Sequence, residues 1–195
     1  MSRFLSKIDK KGVLTIASSD IAKGVGVSAA QVRKDLAYFG EFGTRGVGYN
    51  VQELNHHILR ILGLNKTWPV IMIGAGNLGR ALCLYDGFRD RGFDIIAMFD
   101  VDPKKIGKKV EGVPILALDD LTEVVEENEI EIGVIAVPAE HAQEAADLLV
   151  ENEISAILNF APAVLNVPDN VNLRNVDLSV NLEILTFNIV NNKNE

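Results

Sequence analysis

The chain alternates between hydrophobic runs typical of buried strands and apolar spacings typical of amphipathic helices. The runs are short and continuous, as expected of parallel strands covered on both faces. They occupy residues 69–73, 95–99, 132–137 and 156–159. Between them, apolar residues recur every three or four positions, as at Leu121 and Val125. This repetition predicts an α/β body over residues 68–176, with a parallel sheet and right-handed crossovers.

The first predicted strand leads into a glycine-rich loop followed by a predicted helix. The pattern is G-x-G-x-x-G in the strand–loop–helix context that dinucleotide-binding Rossmann domains require. Gly74 would permit the turn, Gly76 would let a pyrophosphate approach the backbone, and Gly79 would let helix and strand pack closely. The phosphates would lie at the positive end of the helix. The predicted cofactor-binding residues of this loop are Gly74, Ala75, Gly76, Asn77, Leu78 and Gly79.

The second predicted strand ends at Asp100, 21 residues after Gly79. A carboxylate at this position accepts hydrogen bonds from the adenosine ribose hydroxyls and repels a 2′-phosphate, which favours NADH and NAD⁺ over NADP(H). A Rossmann-like domain without a nucleotide is the alternative. Ligands in such sheets bind beyond the carboxyl ends of the strands. The further candidates for cofactor binding at these ends are Val137, Pro138, Ala161 and Pro162.

Residues 1–63 have a different pattern, in which two short helices are separated by a glycine turn. The first helix is predicted to begin at Ser18 and to end at Gly26, which can adopt a positive φ. Ser28 is predicted to cap the second helix, and Gln31 would complete a capping box. Two helices joined in this way are typical of a helix-turn-helix.

The second of these helices has an apolar and a polar face. At 100° per residue, Val32, Leu36 and Phe39 share the face that should belong to the core. The other face would meet base edges and phosphates if this is a recognition helix, or only solvent if it is not. The predicted DNA-binding residues of this helix and its cap are Ser28, Gln31, Arg33, Lys34 and Tyr38.

The segment from Phe42 to Tyr49 contains three glycines and predicts a tight hairpin with Arg45 and Gly46 at its tip. A hairpin directly after a recognition helix is the wing of a winged helix, which contacts the DNA backbone or the minor groove. An ordinary glycine turn is the alternative. We include Arg45 and Gly46 among the predicted DNA-binding residues.

The C-terminal segment, residues 177–195, fits two patterns. Alternation from Leu178 to Ile184 slightly favours a strand, whereas Leu178, Leu182, Leu185 and Ile189 also fit one face of a helix. A helix that is apolar on nearly all sides must be buried between two bodies, which would indicate a dimer.

Composition and charge support a division into two bodies. The chain has 195 residues, 48% of them hydrophobic and 24% charged, as in ordinary globular proteins. With one cysteine and three histidines, neither a disulfide framework nor a Cys/His zinc cluster is expected. The absence of an apolar run near ~18 residues predicts a cytoplasmic protein that does not span a membrane. The net charge of −8 divides into +4 over residues 1–65 and −12 over residues 66–195, so only the N-terminal body is a plausible DNA binder.

A small winged helix joined to an NAD-type Rossmann domain resembles the Rex family of bacterial redox-sensing transcriptional repressors, over nearly the whole chain. The resemblance implies a homodimer that binds operator DNA when NADH is low and releases it when NADH rises. It also implies that residues 177–195 form a helix exchanged between subunits. The most specific stretches are Val32–Gly40, Arg45–Asn50, Gly74–Gly79, Phe99–Pro103 and Asn159–Pro162.

Two departures from the family pattern concern DNA binding. The family usually has a longer and more basic first helix than the segment after Met1, so the sequence leaves open whether the short N-terminus weakens DNA binding. Lys34 and Thr44 also stand where arginine and lysine are common, which should weaken backbone contacts modestly.

Two other functions compete with a repressor, namely a small NAD-dependent dehydrogenase and a CoA-binding protein. About 100 residues of Rossmann domain leave no second domain for a substrate, and no His/Asp or Lys/Tyr pair suggests itself for proton transfer. Asp100 favours a ribose diol over CoA. We therefore predict a protein that is not an enzyme.

Overall fold

The computed structural model describes residues 1–44 and 46–192. The chain divides into two compact units, Met1–Lys66 and Thr67–Glu195, and each is described here by itself.

The N-terminal unit is a winged helix-turn-helix. Its short strands β1 and β2 pair antiparallel, with Ile16 opposite Tyr49. Helix α2 ends at Gly26, whose φ of 74° lies in the left-handed region, and α3 follows directly. This arrangement confirms the predicted pair of helices and the glycine turn between them. The elements are α1 (Ser2–Asp9), β1 (Thr15–Ile16), α2 (Ser18–Val25), α3 (Ala29–Phe39), β2 (Tyr49–Asn50) and α4 (Val51–Ile61).

The two ends of α3 differ from the sequence prediction. The Ser28 Oγ accepts a hydrogen bond from the Gln31 N–H at 3.1 Å, so Ser28 is the N-cap. The predicted capping box is wrong, because the Gln31 amide instead donates to Asp35, one turn further along the exposed surface. Phe39 was predicted to be core but is 52% exposed, because it is the last residue of the helix and packs its ring edge against Tyr38.

The core of this unit is small and includes a buried polar side chain. Asn55, on α4, accepts a hydrogen bond from Ser6 Oγ at 3.1 Å and donates to Asp9 Oδ2 at 3.3 Å. These bonds connect α1 to α4 and satisfy an amide that would otherwise be costly to bury. The buried apolar side chains of this core are Leu5, Ile16, Ile21, Ala22, Val32, Leu36, Val51 and Leu54.

The C-terminal unit is built on a seven-stranded sheet in the order β5-β6-β4-β3-β7-β8-β9. All neighbouring strands are parallel except β5 and β6, which form an antiparallel edge. The strands are β3 (Trp68–Ile73), β4 (Phe93–Phe99), β5 (Lys109–Val110), β6 (Val113–Leu116), β7 (Ile132–Ile135), β8 (Ala156–Asn159) and β9 (Asn172–Asn175).

The strand order reverses beside β3, which creates a crevice at the carboxyl ends. The chain proceeds from β3 to β4 on one side and later returns to pair β7 with the other side of β3. In open α/β sheets, ligands bind at this reversal. The unit's helices are α5 (Asn77–Cys83), α6 (Asp86–Arg89), α7 (Leu121–Asn128), α8 (Ala142–Glu151) and α9 (Leu178–Asn192).

The ambiguous C-terminal segment forms helix α9, in agreement with the resemblance and not with the slight preference of the pattern for a strand. Its side chains are exposed all round, including Phe187 at 68% and Leu182 at 65%. None of the helices in the described part of the chain is sufficiently long and apolar to cross a membrane.

Candidate nucleotide-binding site and nucleic-acid interface

The glycine loop between β3 and α5 is held closely against the sheet. Gly74 adopts a φ of 105°, and its N–H donates to the Phe99 carbonyl at 2.8 Å. A Cβ on Gly74 would lie 2.5 Å from the Ala136 carbonyl oxygen, and a Cβ on Gly79 would overlap the Gly74 carbonyl oxygen. Both positions therefore require glycine for packing within the protein, as predicted for a turn and for a helix–strand contact.

Gly76 differs from the other two glycines of the loop. It is the N-cap of α5 with a φ of −76°, a conformation open to any residue. A Cβ on Gly76 would meet no protein atom within 4 Å. Nothing in the fold of this unit thus requires glycine here, so its requirement would come from a ligand.

A cavity of about 520 Å³ opens beside this loop, at the carboxyl ends of β3, β4 and β7. Its volume lies within the range of sites for nucleotide-sized ligands, and its lining is mostly apolar. Five of the predicted cofactor-binding residues line it, namely Gly74, Gly76, Asp100, Val137 and Pro138.

The other predicted cofactor-binding residues do not line the cavity. Ala75 is buried, and Asn77 and Leu78 are exposed at the start of α5. Ala161 is buried and Pro162 is exposed in the loop after β8.

Asp100 lies at the end of β4 with 9% of its surface exposed. Its Oδ2 accepts hydrogen bonds from the Ala75 N–H at 2.9 Å and from Lys105 Nζ at 2.8 Å. Its Oδ1 accepts the N–H of Asp102 at 2.9 Å. Burial raises the pKa of the Asp100 carboxyl. The hydrogen bonds and the charge of Lys105 lower the pKa by more than burial raises it, so the net pKa is below its usual value. Asp100 is therefore ionised and connects the second strand to the glycine loop.

Lys105 is a cavity residue that the sequence analysis did not identify. Its ammonium forms an ion pair with Asp100, and 35% of its side chain is exposed. The Lys105 backbone N–H donates to the Asp102 carbonyl at 2.9 Å. This turn brings the Lys105 side chain back toward the end of β4. The sequence carried no signal for this contact with Asp100, because it depends on the turn between the two residues.

The loop after β8 is fixed by a buried amide. Asn159 is fully buried; its Oδ1 accepts the Ala161 N–H at 2.8 Å. Its Nδ2 donates to the Ala161 carbonyl at 3.1 Å and to Asn175 Oδ1, at the end of β9, at 2.9 Å. Asn159 thus shapes the segment that contains Ala161 and Pro162.

The predicted recognition face of α3 is exposed, since Ser28, Gln31, Arg33, Lys34 and Tyr38 all point away from the core. Tyr38 is 86% exposed. One guanidinium nitrogen of Arg33 donates to Ser18 Oγ at 3.0 Å, which directs Arg33 toward the start of α2. The sequence did not predict this hydrogen bond between Arg33 and Ser18. A basic and aromatic surface on such a helix can contact phosphates and base edges.

A tight turn follows α3, as predicted for a wing. The Thr44 N–H donates to the Gly48 carbonyl at 2.9 Å, and the Gly48 N–H donates to the Thr44 carbonyl at 3.0 Å. Gly46 is exposed, and the neighbouring Val47 is 66% exposed. Arg45, predicted to contact DNA from the tip, lies outside the described residues.

Comparison with known proteins gives two family models. Residues 2–37 match the model described as putative DNA-binding protein N-terminus. Residues 65–163 match the model described as CoA binding domain, so the chain contains a domain of that family.

Curated relatives match the chain over almost its whole length. The redox-sensing transcriptional repressor Rex of Pelotomaculum thermopropionicum is 60% identical over 194 residues, covering 100% of this chain and 91% of the relative. The chain belongs to the Rex family of redox-sensing transcriptional repressors. Membership confirms the family resemblance and the expected fold class, a winged helix-turn-helix followed by a Rossmann-type domain.

Solved structures of the Rex family agree with this assignment. The chain superimposes on RSP, a Rex-family repressor, in complex with β-NAD⁺ and operator DNA with a TM-score of 0.92 and 40% identity. The match covers 98% of this chain and 88% of RSP. The complex of RSP with β-NADH gives a TM-score of 0.84 and 38% identity, covering 98% of this chain and 90% of RSP.

Proposed function

We propose that this chain is a transcriptional repressor that senses the ratio of NADH to NAD⁺, binds operator DNA as a homodimer, and is released from DNA by NADH. The observation that supports it most directly is the combination of two sites in one Rex-family chain. One is an exposed recognition helix with a wing, and the other is a nucleotide-sized cavity with a carboxylate at its edge.

The cofactor would occupy the cavity with its pyrophosphate over Gly76, where space is open, and its adenosine ribose near Asp100. Val137 and Pro138 would contact the cofactor along the edge of β7. The remaining predicted contacts, which include Ala75, Asn77, Leu78, Gly79, Ala161 and Pro162, stay predictions. A bound dinucleotide would act here through its charge and shape alone. A sensor needs the dinucleotide to bind, not to react.

The DNA contacts would come from the exposed face of α3 and from the wing. Arg33 and Lys34 supply cations, and Tyr38 supplies an aromatic side chain with a hydroxyl group. Ser28, Gln31, Arg45 and Gly46 complete the proposed set. Phosphate contacts would position the protein, and contacts with base edges would select the operator.

The homodimer would be formed through α9. This helix exposes apolar side chains on all sides in the single chain, including Leu178, Ile184, Leu185 and Phe187, so it needs a partner surface. We propose that residues 177–195 are exchanged between subunits, with residues 1–63 as the DNA-binding domain and residues 68–176 as the nucleotide domain. A symmetric dimer would read a palindromic operator.

The switch requires that NADH bind the released geometry of the dimer more tightly than the DNA-bound geometry. A ligand with equal affinity for both geometries would shift nothing, however tightly it bound. By reciprocity, operator DNA must lower the affinity for NADH by the same factor by which NADH lowers the affinity for operator DNA. The protein would perform this function in the cytoplasm.

The CoA-binding alternative is favoured by one observation, the match of residues 65–163 to the model described as CoA binding domain. Coenzyme A lacks the free 3′-hydroxyl of the adenosine ribose, so the ionised Asp100 favours NADH over coenzyme A. The dehydrogenase alternative has less support. His141 and Glu144 line the cavity 3.6 Å apart, but both side chains are mostly exposed, at 62% and 82%.

The proposal is tested by calorimetric titration of the full chain with NADH, NADPH and coenzyme A, in parallel with anisotropy of a labelled operator duplex. We expect NADH to bind more tightly than NADPH and coenzyme A, and to displace the DNA. Tighter binding of coenzyme A than of NADH would favour the alternative, and turnover of a hydroxy acid would indicate an enzyme.

A further inference from the structure

The carboxylate of Asp100 has little accepting capacity left for a ligand. An ionised carboxylate offers about four acceptor positions on its two oxygens. Two donors, the Ala75 N–H and Lys105 Nζ, already approach Oδ2, and the Asp102 N–H approaches Oδ1. An isolated aspartate could accept both hydroxyls of a ribose, but this one can accept only one hydroxyl without losing a bond.

Lys105 provides what Asp100 lacks. An ammonium group has three N–H donors, so it can donate to a ligand oxygen without leaving the carboxylate. Lys105 lines the same cavity as Asp100, and its side chain is only partly exposed. The turn that holds it is itself ordered, since Asp102 Oδ1 accepts the Lys104 N–H at 2.9 Å.

We propose that Asp100 and Lys105 recognise the adenosine ribose as a pair, and that Lys105 determines how strongly NADPH is excluded. One ribose hydroxyl would donate to Asp100 and the other would accept from Lys105. The inference rests on the proposed NADH site and deepens it. With NADPH, the same ammonium would lie against the 2′-phosphate and offset the repulsion from Asp100.

Replacing Lys105 therefore affects the two nucleotides differently. In Lys105→Met the apolar stem remains, but the positive charge and its donors are lost. NADPH would then meet an uncompensated carboxylate, whereas NADH could place its second hydroxyl on the vacated acceptor position of Asp100. Because the pair involves a charge-assisted hydrogen bond, we expect the ratio of dissociation constants, NADPH over NADH, to rise about tenfold.

The converse variant gives a gain of binding. In Asp100→Ala the ammonium is released from its carboxylate and can pair with the 2′-phosphate, so NADPH affinity should rise about tenfold. Adding Lys105→Met to Asp100→Ala should remove this gain. A purely structural role of Lys105 would not predict such coupling between the two positions.

The experiment is a calorimetric titration of the full chain and its variants with NADH and NADPH. ADP-ribose and 2′-phospho-ADP-ribose serve as second probes, which restrict the comparison to the adenosine end. Lys104→Met is the matched control, because it removes the same charge from an adjacent exposed position outside the cavity lining. Lys105→Arg should keep the wild-type ratio, and Lys105→Gln replaces Lys105→Met if the latter does not fold.

The ratio should rise in Lys105→Met, remain within about twofold of wild type in Lys104→Met, and show the same change with the ADP-ribose pair. An unchanged ratio in Lys105→Met would overturn the inference while leaving the NADH site intact. An equal change in Lys105→Met and Lys104→Met would also overturn it, since the loss of any nearby positive charge would then explain the change in the ratio. If the wild-type chain binds neither nucleotide, the proposed function fails and the pair with it.

Discussion

Gly76→Ala should separate nucleotide binding from folding. The added Cβ would meet no protein atom within 4 Å, and the φ of −76° suits alanine. Alanine lowers the conformational entropy of the unfolded chain, which stabilises the fold, but it is a poorer N-cap than glycine, which destabilises it. These two effects nearly offset each other, so the free energy of unfolding should stay within about 0.5 kcal/mol of wild type. The methyl group would instead occupy the space that we assign to the pyrophosphate.

The loss of NADH affinity can be worked from the contacts that the methyl group would break. Displacing the pyrophosphate from the loop would cost about two charge-assisted hydrogen bonds to backbone N–H groups, each worth about 1.5–3 kcal/mol. Even the lower sum of about 3 kcal/mol raises the dissociation constant of NADH more than 100-fold, or roughly 150-fold. Operator binding without NADH should be unchanged, because the substituted residue lies in the nucleotide unit.

The assay combines NADH titration by calorimetry with thermal unfolding of the same samples. Gly79→Ala is the matched control, because its Cβ would overlap the Gly74 carbonyl oxygen. We expect Gly79→Ala to lower the free energy of unfolding by about 1–3 kcal/mol through overpacking, whereas Gly76→Ala should leave it nearly unchanged. A folded Gly76→Ala variant that binds NADH within threefold of wild type would refute the placement of the pyrophosphate.

Three further predictions follow from other parts of the molecule. Arg33→Ala and Lys34→Ala should each weaken operator binding by about 1–3 kcal/mol in anisotropy, without changing the NADH affinity measured by calorimetry. Unchanged DNA binding in both variants would show that this face of α3 contacts only solvent. Removing residues 178–195 should give a monomer in light scattering and abolish the NADH response, and a truncated dimer that still leaves DNA on adding NADH would exclude α9 as the coupling element. Asn159→Ala should lower the free energy of unfolding by about 2–4 kcal/mol in denaturant titrations, because it leaves buried partners unsatisfied, and a loss below 0.5 kcal/mol would contradict that role.

The sequence was sufficient for the parts of the fold that depend on local chemistry. The run at 69–73, the glycine loop and the acid at Asp100 follow from the requirements of a strand, a turn and a ribose contact, and the strand, loop and cavity agree with them. The wing turn was also foreseen, since glycine can adopt the positive φ values that a tight turn requires, as Gly43, Gly46 and Gly48 do here.

The features that were missed depend on tertiary contacts. Strand β9 is polar and lies at a sheet edge, so Asn172–Asn175 has no hydrophobic pattern to find. Phe39 has the correct period for the core, but the helix ends before its ring is covered. Lys105 reaches Asp100 only because the intervening turn folds back, which neither residue type nor spacing reveals.

Helix α9 is a different case, because the pattern was compatible with a strand and a helix. Its apolar residues are distributed around the whole helix and are exposed in the single chain. The apolar positions therefore marked no single face, so the pattern could not distinguish a helix from a strand.

The central claim, that nucleotide binding controls DNA binding, is tested most directly by anisotropy of the labelled operator duplex to which RSP binds. The full-length chain, bound to this duplex, is titrated separately with NADH and with NAD⁺. We expect NADH to release the DNA at a much lower concentration than NAD⁺. We also expect saturating duplex to weaken NADH binding by the same factor by which saturating NADH weakens duplex binding. Equal release by the two nucleotides, or DNA binding unaffected by NADH at saturation, would contradict it.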